Sequence, residues 1–111
     1  SHPRALFFCV LREEGHTELV RDGAFTGSPL DKADGFIHCS ARDDVPFVLR
    51  SFFTEESTVH IAAVLAAHAG DVRWETNSSG AFPHVYGTLP ASAVAAVFKV
   101  DKGETGEWAL P

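Results

Sequence analysis

The apolar residues of this chain fall mostly into short runs of strand length, and a single stretch shows clear helical spacing. Residues 4–11 and 93–100 are nearly continuous apolar runs, and residues 58–66 form another, although its alanines also permit a helix. Runs of this length are typical of buried strands. Residues 47–53 instead place Phe, Val and Leu along one helical face. Because strands and helices do not alternate, the pattern predicts an α+β fold with a mixed, largely antiparallel sheet and one main helix.

The remaining segments are predicted to be shorter. Three further strands are expected at residues 35–39, 71–75 and 83–86, and a Pro-led turn is expected at residues 90–92. Residues 12–22 suit a short irregular helix or turn.

The segment between the first two strands is predicted to be a loop. Residues 23–35 are rich in Gly, Pro, Ser and Asp, and so long a connection in a small domain is often functional. After it, Ser40 suits a helix cap and Asp43 a first helical turn. Pro46 indicates that a short turn precedes the main helix.

Length and charge limit the size and the partners of the protein. The 111 residues predict one domain over residues 1–111 with a core at about 4–101, and 45% hydrophobic residues allow that core to form without disulfides. The net charge of -6 and the lack of a Lys/Arg cluster weigh against long nucleic acids and anionic membranes. No apolar run approaches the roughly 20 residues that span a bilayer, and no leader is evident. A small anionic ligand held by one or two arginines remains possible.

The two cysteines and the scattered histidines do not predict a metal site. Cys9 and Cys39 lie in apolar strand-like runs, which indicates buried free thiols and a reducing, cytoplasmic location. Four further histidines lack metal-ligand spacing with one another or with the cysteines. They are His2, His16, His60 and His68.

Two short motifs point to a binding site. Residues 35–40 read GFIHCS and residues 82–87 read FPHVYG, so each holds a histidine with a hydroxyl residue two positions later. Side chains two residues apart share one face of a strand. We therefore expect His38 to lie beside Ser40, and His84 beside Tyr86. If the two strands are neighbours, these polar groups converge on one small-ligand site.

His38 and His84 are the candidate catalytic residues. An imidazole at these positions can contact a ligand or transfer protons near neutral pH, or it can be a structural histidine bonded to backbone or a carboxylate. His38 also precedes a helix start, which suits phosphate. Pro83 removes one ladder hydrogen bond, so the strand of His84 is expected at a sheet edge or at its own start, facing a cleft. Tyr86 is either a ligand contact or an amphipathic edge residue.

Three further residues are candidate ligand contacts. Gly87 allows a sharp turn or a close approach by a ligand. Arg73 and Glu75 share one face of their strand. This indicates either a solvated cross-strand ion pair or a site in which Arg73 holds a phosphate or carboxylate and Glu75 binds a ribose hydroxyl.

These motifs resemble a known family. GFIHCS, SFF, RWE and FPHVYGTLP, in that order, are similar to the bacterial and plant family catalogued as domain of unknown function nine-five-two, over roughly residues 5–100. That family resembles the ADP-ribosyltransferase fold, and within it the RNA 2′-phosphotransferases. Residues 37–40 look like the Val-His-Leu-Ser segment of those enzymes, whose histidine lies in the NAD-related site.

The resemblance implies NAD as the cofactor and cleavage or ADP-ribosyl transfer at the ribose C1″ carbon. Three features of this chain differ from the pattern of those transferases. Transferases of this fold carry a His or Arg on the first strand to hold a ribose, and here Cys9 takes the comparable position. Glu75 does not fall where the transferases place their catalytic glutamate, and the acidic charge does not suit RNA.

Three hypotheses remain open from the sequence. The first is an NAD- or nucleotide-dependent ADP-ribosyl transferase or glycohydrolase. The second is a non-catalytic module that binds a small anionic metabolite. The third is an interaction domain whose histidines are structural. The sequence does not identify the acceptor, the oligomeric state or the pathway.

Overall fold

A computed structural model describes residues 4–111, so His2 lies outside the described residues, as do the first three positions of the predicted domain. The strands in these residues are β1 (Leu6–Leu11), β2 (Ala24–Phe25), β3 (Ile37–His38), β4 (Thr58–Leu65), β5 (Asp71–Asn77), β6 (Gly80–Tyr86), β7 (Leu89–Pro90) and β8 (Val94–Asp101). The helices are α1 (Glu13–Asp22), α2 (Pro29–Asp34) and α3 (Val45–Phe52). Short 3-10 turns occupy Arg42–Asp44, Ala66–His68 and Ala91–Ala93.

The strands form three small sheets with the orders β1-β4-β8, β2-β7 and β3-β6-β5. Every strand pair found among residues 4–111 is antiparallel. The α+β prediction is confirmed, while the expected single mixed sheet is instead three antiparallel ones. No helix in the described part of the chain is long and apolar enough to cross a membrane.

The β1-β4-β8 sheet is apolar on both faces because a separate core covers each of them. Phe7, Leu11 and Val64 belong to one cluster, which also contains residues of β6 and α1. Val59 and Ile61 belong to a second cluster, under α3. Burial on both faces explains why β1 and β4 are nearly continuous apolar runs instead of alternations. The edge strand β8 is also apolar, but most of it is exposed, including Val97 and Phe98.

The prediction of a loop over residues 23–35 is wrong, because this segment contains β2 and α2. The Ser28 side chain accepts a hydrogen bond from the Asp31 backbone N–H, and the Asp31 carboxylate accepts one from the Ser28 N–H. This reciprocal capping box, with Pro29 at the start of the helix, stabilises a helix of six residues. Gly35 ends it in the left-handed conformation, with φ of 88°.

Ser40 does not cap a helix as expected. Its backbone instead pairs with Phe8 on β1, with N–O distances of 2.7 and 2.8 Å, so Ser40 lies between the β3 and β1 sheets. The helix predicted as the main one, α3, begins at Val45 after the 3-10 turn, as Pro46 indicated. It is not the main helix, because α1 is longer, with ten residues against eight.

Pro83 was expected at a sheet edge or at a strand start, yet it lies inside β6, the central strand of its sheet. Its carbonyl accepts a hydrogen bond from the Cys39 N–H at 3.1 Å, just past the end of β3. The N–H and C=O of a strand residue point to the same side, so the missing donor of Pro83 also faces this position. A proline is tolerated here because β3 has ended and the chain turns away toward β1.

Candidate functional site

One face of the β3-β6-β5 sheet carries the residues that the two motifs singled out. His38 is paired with His84, and His84 is paired with Arg73 on the other side. Alternation along the strands places Glu75 and Tyr86 on this same face. The two imidazole centroids are 5.6 Å apart, at an interplanar angle of 67°. The expectation that the two motif strands are neighbours therefore holds.

His38 is bonded to a carboxylate at each ring nitrogen. Its Nδ1 lies 2.6 Å from Asp31 Oδ1, and its Nε2 lies 3.0 Å from Asp34 Oδ2. A neutral imidazole has only one N–H, so two ionised carboxylates require the doubly protonated ring. The hydrogen bond that the His38 ring donates to Asp31 raises the pKa of His38 above its ordinary value, against the opposing effect of burial. His38 is therefore an imidazolium whose two donors are already used.

Asp31 connects α2 to this histidine. Its Oδ1 also accepts a hydrogen bond from the His38 backbone N–H at 3.1 Å, while its other oxygen accepts the bond from Ser28. Burial alone would raise the pKa of Asp31, but the hydrogen bonds from His38 and Ser28 outweigh it and leave the pKa below its usual value. The carboxylate is thus buried, ionised and bonded to three donors.

We expect the stabilisation that His38 provides to disappear at alkaline pH. Its folded-state pKa is raised, so its contribution is fully present below the unfolded-state value of about 6.5 and is lost as the pH rises through the folded-state pKa. Urea unfolding of the wild type and His38→Gln, from about pH 6 to about pH 9, measures this. The wild-type advantage should shrink as the pH rises, and an advantage that grew over this range would contradict the proposed charge state.

His84 has a different set of partners from His38. Its Nδ1 lies 2.6 Å from Glu75 Oε1, and the Tyr86 hydroxyl donates to the same oxygen at 2.6 Å. These bonds, first that of Tyr86 and then that of His84, lower the pKa of Glu75, which is therefore ionised at neutral pH. A carboxylate acceptor at Nδ1 favours the tautomer with its proton there. Nε2 has no hydrogen-bond partner among residues 4–111.

The Phe36 ring packs against the rings of both histidines. Its ring stacks on His84 with centroids 4.0 Å apart and contacts His38 at 4.6 Å. Aromatic contacts of this kind restrict ring rotation. The His84 side chain, only 12% exposed, is consequently fixed by packing as well as by Glu75.

Both histidines line one cavity of about 920 Å³, between the sheet and the three helices. This volume is at the upper end of small-molecule sites, which range from about 300 to about 1,000 Å³. Five phenylalanines contribute to its wall: Phe25, Phe47, Phe52, Phe53 and Phe82. Ser40 also lines the cavity although the residue is only 2% exposed, and its hydroxyl makes no hydrogen bond to any residue in 4–111.

Four of the predicted ligand contacts do not line this cavity. Glu75 is bonded to His84 Nδ1, and Tyr86 donates to the same Glu75 oxygen. Arg73 is bonded to Asp71 at 2.8 Å and lies over the Tyr86 ring at 4.2 Å, so its ion pair is solvated, as one alternative predicted, but lies within its own strand instead of across strands. Gly87 has a φ of 113°, which fits the predicted sharp turn, but it is also outside the cavity wall.

The sequence reasoning missed the acidic partners of His38 and the charged residues of the cavity. Asp31 and Asp34 lie in the segment predicted to be a loop, where the Ser28-Pro29 pair followed by Asp31 was the available signal. Arg12, Arg21 and Lys32 line the cavity from helices α1 and α2 and the residue before α1. No sequence pattern marked them, because they come from separate elements.

Cys9 does not take the place of a ribose-holding residue. It is buried in the core, where its Sγ lies 3.8 Å from the His38 carbonyl oxygen, and it does not line the cavity. Both cysteines are free and buried, as predicted. Burial raises the pKa of the Cys39 thiol well above its usual value, which makes it a poor nucleophile. Residues 4–111 contain no cluster of three or more side chains arranged to hold a metal ion.

Comparison with known proteins supplies a family and a set of similar structures. The family described as "Protein of unknown function (DUF952)" matches residues 10–97. The crystal structure of protein CC0527 from Caulobacter crescentus is 32% identical, with a TM-score of 0.86, and the match covers 95% of this chain and 94% of that one. The solution NMR structure of CC0527 gives 31% identity, a TM-score of 0.78, and coverage of 93% and 90%. No curated protein matches the chain.

Proposed function

The chain belongs to the family of proteins of unknown function DUF952, and we propose that it binds a nucleotide-like small molecule, with NAD as the candidate, and cleaves its nicotinamide–ribose bond. The ligand occupies the cavity beside His38 and His84. The same residues would support an ADP-ribosyl transfer if an acceptor molecule replaced water as the nucleophile. We further propose that the fold is related to the ADP-ribosyltransferases, and that the protein acts in the cytoplasm, where its two thiols stay reduced.

The observation that carries this proposal is the orientation of His84. Glu75 accepts its Nδ1 proton at 2.6 Å, and Nε2 is the ring atom left to meet a ligand in the cavity. A histidine held in this way by a carboxylate is a general base. In the proposed reaction, a water attacks the ribose carbon and its proton passes to His84 Nε2. Nicotinamide leaves with the electron pair of the broken C–N bond.

The His38 cluster would support this reaction through its charge. An imidazolium with two carboxylates, Asp31 and Asp34, carries a net charge of minus one. The transition state at a ribose carbon is oxocarbenium-like and therefore positive. A fixed negative cluster next to it would stabilise that charge without reorganising.

One observation favours a second function, that of a non-catalytic binding module. Both nitrogens of His38 are bonded to carboxylates, so this histidine has no free atom for proton transfer. Only His84 is then left to act on a ligand. A protein that merely captures a small metabolite would need no more than the cavity and its neutral polar groups.

Incubation with NAD separates these functions. The proposal predicts release of nicotinamide and ADP-ribose, measured by liquid chromatography, together with a rise in melting temperature when ligand is added without time for turnover. A stable rise without any product would indicate the binding module. Neither product nor any shift with NAD, ADP-ribose or nicotinamide riboside at millimolar concentration would contradict the proposal.

A further inference from the structure

The charged groups of the cavity are largely satisfied by the protein itself. Arg12 lies 3.5 Å from Glu56, donates to the Phe52 carbonyl at 3.0 Å and rests over the Phe53 ring. Arg21 forms two hydrogen bonds of 2.8 Å to Asp22. Each arginine is thus already paired with a carboxylate, which weakens its attraction for a ligand phosphate even though some of its five N–H donors stay unused.

The remaining charges do not favour an anion either. Lys32 is the cation of the cavity wall that makes no hydrogen bond or ion pair within residues 4–111, and it is exposed. The acidic side chains of the wall are Glu14, Glu18, Asp31 and Glu56. A diphosphate carries about two negative charges and is usually held by several cationic or backbone donors. One exposed lysine facing four carboxylates is a poor receptor for it.

Besides Lys32 and Glu14, the wall offers unengaged hydroxyl, amide and imidazole groups. Ser40 offers a hydroxyl without a partner in the described chain, and His84 offers Nε2. At the tip of the β5-β6 hairpin, Asn77 uses its Oδ1 to accept from the Ser79 N–H, which leaves its amide NH₂ group free. Hydroxyls, amides and imidazoles of this kind recognise sugar hydroxyls and ring nitrogens.

The apolar part of the wall suits a flat ring. Phe47 and Phe52, on α3, are 39% and 57% exposed although they border the cavity, and Leu30, on α2, is 56% exposed. Apolar side chains left open at the mouth of a cavity mark a ligand-binding surface. An aromatic base packed there would cover them.

From these features we infer that the cavity recognises the nucleoside part of its ligand, an aromatic base joined to a ribose, and makes no specific contact with a diphosphate. The inference rests on the proposed function, because it names which part of the nucleotide-like ligand is bound. The base lies among the phenylalanines of α3, and the ribose hydroxyls reach Ser40 and His84. Any diphosphate would extend into solvent past the apolar mouth.

Isothermal titration with adenosine, nicotinamide riboside, ADP-ribose and NAD tests this inference. We expect the two nucleosides to bind within about threefold of NAD and ADP-ribose, since a group left in solvent adds little affinity. We also expect the dissociation constants to change less than about twofold between low and high salt. Tenfold tighter binding of NAD and ADP-ribose, weakened by salt, would overturn the inference while leaving the proposed function intact. Failure of all four to bind would overturn both.

A pair of serine variants locates the ribose. Ser40→Ala should weaken nicotinamide riboside binding by about two- to tenfold, the usual effect of losing one neutral hydrogen bond. Ser92→Ala, on the exposed 3-10 turn at Ala91–Ala93, is the matched control and should leave binding unchanged. Because Ser40 contacts β1 through its backbone, the variant is expected to fold, and circular dichroism verifies this. A folded Ser40→Ala protein with unaltered affinity would contradict the placement of the ribose.

Discussion

His84→Ala is expected to lower the rate of NAD cleavage by about 100-fold or more, the usual contribution of a positioned general base. The physical reason is that Glu75 engages Nδ1 of His84, so Nε2 is the ring nitrogen that we propose as the base toward a ligand in the cavity. His38 cannot replace it, since both of its nitrogens are bonded to carboxylates. Steady-state rates at saturating NAD measure the effect on the chemical step.

Glu75→Gln tests how much of the cleavage rate depends on the residue that orients the His84 ring, because the ring itself is retained. Glutamine retains an acceptor oxygen but removes the charge that supports the ring as it becomes protonated, so we expect a smaller loss than in His84→Ala, confined mainly to kcat. His68→Ala is the matched control, because His68 is exposed and lies outside the cavity wall. A folded His84→Ala protein with the wild-type rate would remove His84 from the mechanism.

Asp31→Ala is expected to lower the free energy of unfolding by about 3–5 kcal/mol, because three donors lose their acceptor at roughly 1–3 kcal/mol each, while His38 keeps Asp34 as a partner. The side chain is 9% exposed and accepts from the Ser28 N–H, the His38 N–H and His38 Nδ1. Its loss leaves these donors without an acceptor and removes the capping box of α2. Few single substitutions elsewhere in the chain would break so many bonds at once.

Urea denaturation of Asp31→Ala beside Asp43→Ala measures this difference. Asp43 is exposed on the 3-10 turn at Arg42–Asp44 and should change the stability by less than about 0.5 kcal/mol. Asp31→Asn keeps one acceptor oxygen and should fall between the two. If Asp31→Ala unfolded at the same urea concentration as Asp43→Ala, the network around His38 would not stabilise the fold.

The strands were predictable because burial leaves a local signal. The runs that became β1, β4 and β8 are apolar on both faces of one sheet, and that pattern appears in the sequence without knowledge of the partners. The shared face of His84 and Tyr86 was predictable in the same way, since their motif alternates with period two. Neither prediction needed information from distant parts of the chain.

The acidic half of the site was not predictable by the same reasoning. Asp31 and Asp34 lie in a segment so rich in Gly and Pro that loop signals outweighed the short capping sequence before Asp31. Their contact with His38 depends on α2 folding back beside β3, which is a tertiary arrangement. The partner of Arg73 was not predictable for a related reason. Strand alternation gives the face of a residue but not which neighbour binds it, and Arg73 pairs with Asp71.

The protonation of the His38 and His84 rings can be measured by nitrogen-15 NMR at neutral pH, before and after addition of nicotinamide riboside, and tests the proposed site directly. We expect His38 to be doubly protonated and His84 to carry its proton on Nδ1. When the ligand binds, the Nε2 signal of His84 should shift and the His68 signals should not change. A His84 protonated on Nε2, or a ligand that shifts neither ring, would contradict the proposed site.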